Sequence, residues 1–267
     1  MPPRTTPLSA PAPPAPPPLV HTSGKLRTLA FAEGELQSAM LLADPDHLVL
    51  AYCRAIMAFA LFVPDPRHIV LVGLGGGSLA KFCYRCFPQA RISVLELRAD
   101  VIALRAQFAV PEDDHRFQVI HADASLWLAG QRDCADVLVV DGFDRDGLPP
   151  ALGSARFYGH CRRALRHGAV LVANIFSYDP HYPAMLARLD LMFDGRVCRF
   201  EGVAGNNRIL FAVKATPGDL AAAPRALRLQ RWLVRRNGLG STLLNRLLVR
   251  SLVWWLRHRP KRSKRQH

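Results

Sequence analysis

No apolar run in this 267-residue chain approaches the roughly 18 to 20 residues that cross a bilayer, which excludes a protein threaded through a membrane on apolar helices. The first eighteen residues hold nine prolines and almost no bulky apolar side chains, so they lack the core of a signal peptide. The compartment this implies is the cytoplasm, where thiols stay reduced. Cys83 and Cys86 form a C-x-x-C, but no second pair and no nearby histidine completes a zinc site, so no metal is expected. Both fall on one face of a predicted helix and read as packing. Cys53, Cys134, Cys161 and Cys198, scattered among apolar residues, read the same way. Acidic residues are missing from residue 220 onward, where thirteen Lys and Arg residues lie. Those thirteen supply nearly all of the net charge of +14, and the remainder of the chain is close to neutral.

What is present is a chain half hydrophobic, enough for one sizeable core and short for two enzyme domains. Residues 1–23 read as an extended or disordered Pro/Ala-rich arm. Within 24–66, Leu26 to Phe31 and Leu36 to Leu42 flank Glu33-Gly34 as a hairpin, and 47–62 follows as a helix closed by Pro64 and Pro66. Residues 67–215 alternate short β-rich runs (Ile69–Leu74, Ile92–Leu95, Phe117–Ile120, Val137–Val140, Ala169–Ala173) with helical stretches. Val197–Phe200 and Arg208–Val213, separated by Gly205-Asn206-Asn207, close the set as an antiparallel pair. This rhythm predicts an α/β fold: a seven-stranded, mostly parallel, methyltransferase-like (Rossmann-like) sheet with helices on both faces and a short N-terminal β-hairpin. Residues 216–267 form a basic helical tail.

Chemistry concentrates at the ends of the predicted strands. Val72-Gly73-Leu74-Gly75-Gly76-Gly77-Ser78 follows a strand and opens a helix. Gly73, Gly75 and Gly77 let the backbone turn sharply and approach a ligand, although many tight β-to-α turns are merely structural. Glu96 ends the second strand, where a carboxylate accepts both hydroxyls of a ribose. Asp123 and the backbone of Ala124, after the third strand, are placed for an adenine ring; a lone acid there is otherwise a helix cap. Together the three features predict an adenine-nucleoside site. Asp141, ending the fourth strand, would face the reacting end of that nucleoside, with turn-capping by Asp141 and Asp144 as the alternative.

These motifs in this order resemble the spermidine synthases, the polyamine aminopropyltransferases. The likeness runs from about residue 68 to 213. It includes the glycine loop, Val94-Leu95-Glu96-Leu97, Phe108-x-x-Pro111-x-Asp113-Asp114, Asp123-Ala124, Asp141-x-x-Asp144 and Phe157-Tyr158. Upstream, Glu33-Gly34-x-x-Gln37-Ser38 is similar to the hairpin motif that the family places over its cofactor. The resemblance implies that a polyamine nitrogen attacks the aminopropyl carbon beside the sulfonium of decarboxylated S-adenosylmethionine, releasing methylthioadenosine. It makes Asp141 the residue that takes or directs the amine proton and Asp144 the one that holds the cationic polyamine. Tyr52 and Asn174 stand on the substrate side, and Gln37 lies over the cofactor. It also implies a homodimer. Three positions depart from the family pattern: Gly76 stands where the family loop carries an aspartate, Cys53 where a glutamine follows the tyrosine, and Asn174 at the later substrate-side glutamine position; the family's longer N-terminal sheet is also curtailed. With these changes, ordinary S-adenosylmethionine remains open as the ligand, either for a methyltransferase or for a non-catalytic nucleoside-binding protein.

The tail interleaves arginines with leucines, valines and three tryptophans, Trp232, Trp254 and Trp255. Leu243–Leu256 is predicted as a helix with a broad apolar face. Three roles fit it: docking on the body or a partner subunit, contact with an anionic membrane surface, or contact with nucleic-acid phosphates.

Overall fold

The computed structural model of the chain describes residues 16–32, 35–142, 148–200, 202–214 and 242–259. A small antiparallel sheet comes first, built from β1 (Leu19–Ser23), β2 (Leu26–Ala30) and β3 (Leu36–Leu41) in sequence order. The expected β2–β3 hairpin is there, and Glu33-Gly34 at its turn lie outside the described residues. Leu19–Ser23, assigned to the arm from its proline-rich surroundings, instead pairs with β2 through a tight turn at Gly24, whose φ is +55°. That turn is what composition concealed: Gly24 admits a backbone that an ordinary residue resists. Next, α1 (Ala51–Ile56) runs into a buried 3-10 turn over Met57–Leu61, in place of one continuous helix over 47–62.

The main sheet holds β4 (His68–Val72), β5 (Arg91–Glu96), β6 (Phe117–His121), β7 (Ala135–Val140), β8 (Leu165–Phe176), β9 (Val197–Arg199) and β10 (Asn207–Val213). Their order is β6-β5-β4-β7-β8-β10-β9, with the first five parallel and β10 antiparallel to both of its neighbours. β4 and β7 are almost entirely buried because they lie mid-sheet under helices on both sides, which is why they read as unbroken apolar runs. Alternate side chains divide between two cores. One gathers Ile69, Leu71, Val94 and Val139 with α2 (Ser78–Cys86) and α3 (Ala99–Ala103). The other gathers Val70, Val72, Leu138 and Val140 with α4 (Ala124–Ala129), α5 (Ala155–Ala164) and α6 (Tyr182–Met192).

Two further elements differ from the sequence expectation. β8 begins at Leu165, immediately after α5, and its pairing with β7 shifts register where Ala135 gives way to Val137. α6 has no sequence forerunner. Its apolar residues fall on both sides, with Met185 and Leu189 buried but Leu191 82 % exposed, so no single stripe advertises it.

The predicted tail helix is α7 (Thr242–His258). It docks on the body through Asn245, Val249, Val253 and Leu256, against α1 and the 3-10 turn. Arg257 closes the contact with a two-point pair to Asp44 at 2.8 and 3.0 Å. The other predicted tail tryptophan, Trp232, lies outside the described residues.

Candidate active site

β4 is flanked by β5 on one side and β7 on the other, because the chain winds outward from β4 through β5 and β6 and then returns to lay down β7 on the opposite side. A crevice opens at the carboxyl ends of the strands at such a point. A cavity of about 460 Å³ occupies it, roofed by β3 and α1. Its lining brings together Gln37, Tyr52, Gly73, Gly75, Glu96, Asp123, Ala124, Asp141 and Asn174, residues spread over nearly 140 positions of sequence. Asp144 lies outside the described residues. Gly77 does not line the cavity: it precedes α2 with φ +69°, and a β-carbon there would run into Val110.

The glycine loop is shaped by close approach. Gly73 has φ +97°, and a β-carbon on it would stand 2.5 Å from the carbonyl oxygen of Asp141. Only glycine lets β4 turn this tightly over the end of β7. At Gly76 a β-carbon would meet Ser38 Oγ at 2.6 Å and Phe108 at 2.8 Å, so the roof strand sits directly on the loop. Beneath it, buried Lys81 donates to the Phe108 carbonyl at 2.5 Å, and burial lowers its pKa to about 8. The expected one-face packing of Cys83 and Cys86 on α2 is what the buried thiols show, and all six cysteines are free.

Glu96 is buried and accepts from the Leu74 N–H at 2.8 Å with one oxygen and from the Arg98 N–H at 2.9 Å with the other. It therefore holds the loop as well as lining the cavity. Each oxygen keeps a second lone pair, so both can still accept from a ligand. Asp123 caps α4, accepting from Ser125 N–H at 2.6 Å and Leu126 N–H at 3.3 Å through Oδ1. The capping role and the site position coexist, because Oδ1 makes both bonds and Oδ2 is left over. Beside it the hydroxyl of Ser125 is buried without a partner and lines the same cavity. An orphaned buried hydroxyl is costly unless something else satisfies it.

At the opposite end Asp141 accepts from Asn174 Nδ2 at 2.7 Å. Asn174 in turn accepts from Asn207 Nδ2 at 2.9 Å. Burial pushes the Asp141 carboxyl up to about 7, and the Asn174 bond opposes that rise. Tyr52 stands nearby, its hydroxyl donating to the Gln37 carbonyl at 3.3 Å; burial first, then Asp141, hold its pKa well above the usual tyrosine range. Asn207 and Ser125 were not among the residues singled out from sequence. Asn207 was legible only as part of a turn, and Ser125 only as the second residue of a helix.

A cavity of this volume falls within the range for small-molecule sites. The close-approach glycine, the two-oxygen acid and the orphaned hydroxyl all line this one cavity. Fold and cavity define a methyltransferase-like α/β protein with its candidate site at the carboxyl edge of the sheet. Among curated proteins, the polyamine aminopropyltransferase of Chromobacterium violaceum is 36 % identical over 199 residues, covering 74 % of this chain and 76 % of its own length. The chain belongs to the polyamine aminopropyltransferase family. No protein-family model matches it. Among solved structures, a probable spermidine synthase from Corynebacterium glutamicum superposes with a TM-score of 0.65, at 19 % identity, covering 94 % of this chain and 95 % of the other. Human methyltransferase-like protein 13, solved in complex with SAH, gives a TM-score of 0.53 at 25 % identity, covering 72 % and 93 %.

Proposed function

We propose that this enzyme moves an aminopropyl group from decarboxylated S-adenosylmethionine to a polyamine such as putrescine, with Asp141 as the proton acceptor. The observation that carries the reading is the buried Asp141–Asn174–Asn207 chain at one end of a nucleoside-sized cavity, in a member of this family. The sulfonium supplies a good leaving group, so the amine nitrogen bonds to the adjacent carbon as the carbon–sulfur bond breaks.

What the protein must contribute is position and deprotonation. A polyamine is an ammonium in water and has no lone pair to attack with. Asp141, with its pKa at about 7, is half ionised near neutrality and takes that proton more readily than an ordinary carboxylate would. Asn174 fixes the carboxyl through Oδ1, leaving Oδ2 for the amine. Asn207 holds the Asn174 amide so that its NH₂ side meets Asp141. Glu96 receives the ribose hydroxyls, while Asp123, the Ala124 backbone and Ser125 receive the base. Gln37 and Tyr52 close the roof. Asp144 is assigned to the distal charge of the polyamine.

A methyltransferase reading has one observation behind it: Gly76, where the family loop carries an acid, has no room for a side chain under Ser38 and Phe108. Calorimetric titration with decarboxylated S-adenosylmethionine, S-adenosylmethionine and methylthioadenosine separates the two. Aminopropyl transfer predicts that the decarboxylated form and methylthioadenosine bind at least tenfold more tightly than the carboxylated form, a difference of about 1.4 kcal/mol. Tighter binding of S-adenosylmethionine would replace this proposal with methyl transfer.

A further inference from the structure

The helix α7 docks by one stripe only. Asn245, Val249, Val253 and Leu256 face the body, as the spacing of three and four residues requires. On the far side Leu243, Leu244, Leu247, Leu248, Trp254 and Trp255 are 67, 63, 52, 42, 64 and 48 % exposed. No acidic residue falls anywhere on the helix; along the border of the exposed apolar stripe Arg246 donates to the Gly202 carbonyl at 2.7 Å, and Arg250 follows it one turn on. Large apolar side chains scattered singly over a surface mean little, but six within one seventeen-residue helix form a patch.

We infer that this face is a docking surface for an anionic phospholipid bilayer, with α7 lying flat between the enzyme body and the lipid headgroups. Two features select this occupant. The first is the residue set, in which leucine and tryptophan on one face with arginine beside them match a helix that sits at a membrane interface. Tryptophan in particular favours the headgroup level, where its ring is apolar and its N–H is wetted. The second is charge. From residue 220 to the end the chain carries thirteen Lys and Arg residues and no acid, and Lys261, Arg262, Lys264 and Arg265 follow the helix directly. A second copy of the chain would bring two such surfaces of like sign together. A nucleic acid would satisfy the basic side chains but leave six large apolar side chains in water. An anionic bilayer covers both.

Binding of the full chain to vesicles tests this, using phosphatidylcholine alone and phosphatidylcholine with one-third phosphatidylglycerol. The expected result is sedimentation with the anionic vesicles only, weakened by salt, with a blue shift of tryptophan emission. The double substitution Leu247→Glu with Trp254→Glu should lower that binding about tenfold or more, by removing apolar burial and adding repelled charge. Both side chains are exposed, so the melting temperature and turnover of the variant should match the parent. Equal binding to neutral and anionic vesicles, no binding to either, or unaltered binding by the variant would each overturn the proposal. So would a dimer in light scattering that the variant dissociates, or loss of affinity confined to nucleic acid.

Discussion

Asp141→Asn is expected to lower turnover about 10²- to 10⁴-fold, the usual contribution of a positioned general base, while affinity for methylthioadenosine stays within about twofold. The shape of the side chain is kept and only its capacity to take a proton is lost. The fold should not suffer. A carboxyl whose folded pKa is raised above its unfolded value binds more protons when folded, so Asp141 costs stability as pH rises from about 4 through about 7. Its removal therefore leaves the melting temperature at neutral pH unchanged or higher. The same shift fixes the pH dependence of the parent. Asp141 works as its carboxylate, so kcat/KM should climb with pH through about 7 and level above it. Asn174→Ala takes away the bond that opposes the rise and should move that midpoint upward. An Asp141→Asn enzyme with parental turnover, or a rate that falls across the same pH range, would remove Asp141 from the proton-transfer role.

Glu96→Ala should weaken methylthioadenosine binding roughly 30- to 150-fold, about 2–3 kcal/mol, because hydrogen bonds to a charged acceptor are worth more than neutral ones. This variant also strips the Leu74 N–H of its partner, leaving a buried donor unsatisfied and the glycine loop less firmly held. A drop in melting temperature should accompany the loss. Glu96→Gln keeps one acceptor oxygen, so it can satisfy the Leu74 or the Arg98 N–H but not both, and its stability and its affinity should each fall between the parent and Glu96→Ala. Calorimetry showing parental affinity in Glu96→Ala would mean that the ribose does not rest on this residue.

The main sheet was legible because its strands are buried on both faces and therefore read as apolar runs, with each site residue at a strand's end. Gly73, Glu96, Asp123 and Asp141 could be picked out since parallel sheets place ligands at the carboxyl ends of their strands, and all four line one cavity. The antiparallel closing pair was visible through the turn at Gly205-Asn206-Asn207, yet that turn hid Asn207. Its importance comes from a cross-strand neighbour, Asn174, thirty-three residues earlier, and no local pattern reports such a contact. Gly77 shows the reverse: it fitted the loop motif, but its positive φ and contact with Val110 serve the start of α2 and not the cavity wall. β1 was missed because prolines upstream set the composition of the whole arm, although Gly24 alone decides where the chain folds back.

The reaction itself gives the most direct test. The purified chain would be incubated with decarboxylated S-adenosylmethionine and putrescine, and the products separated and weighed by mass spectrometry. Methylthioadenosine and aminopropylated putrescine should appear in equal amounts, and both should be absent without the amine. Methylthioadenosine released without an aminopropylated product, or no product from decarboxylated S-adenosylmethionine under conditions where the nucleoside binds, would contradict aminopropyl transfer by this chain.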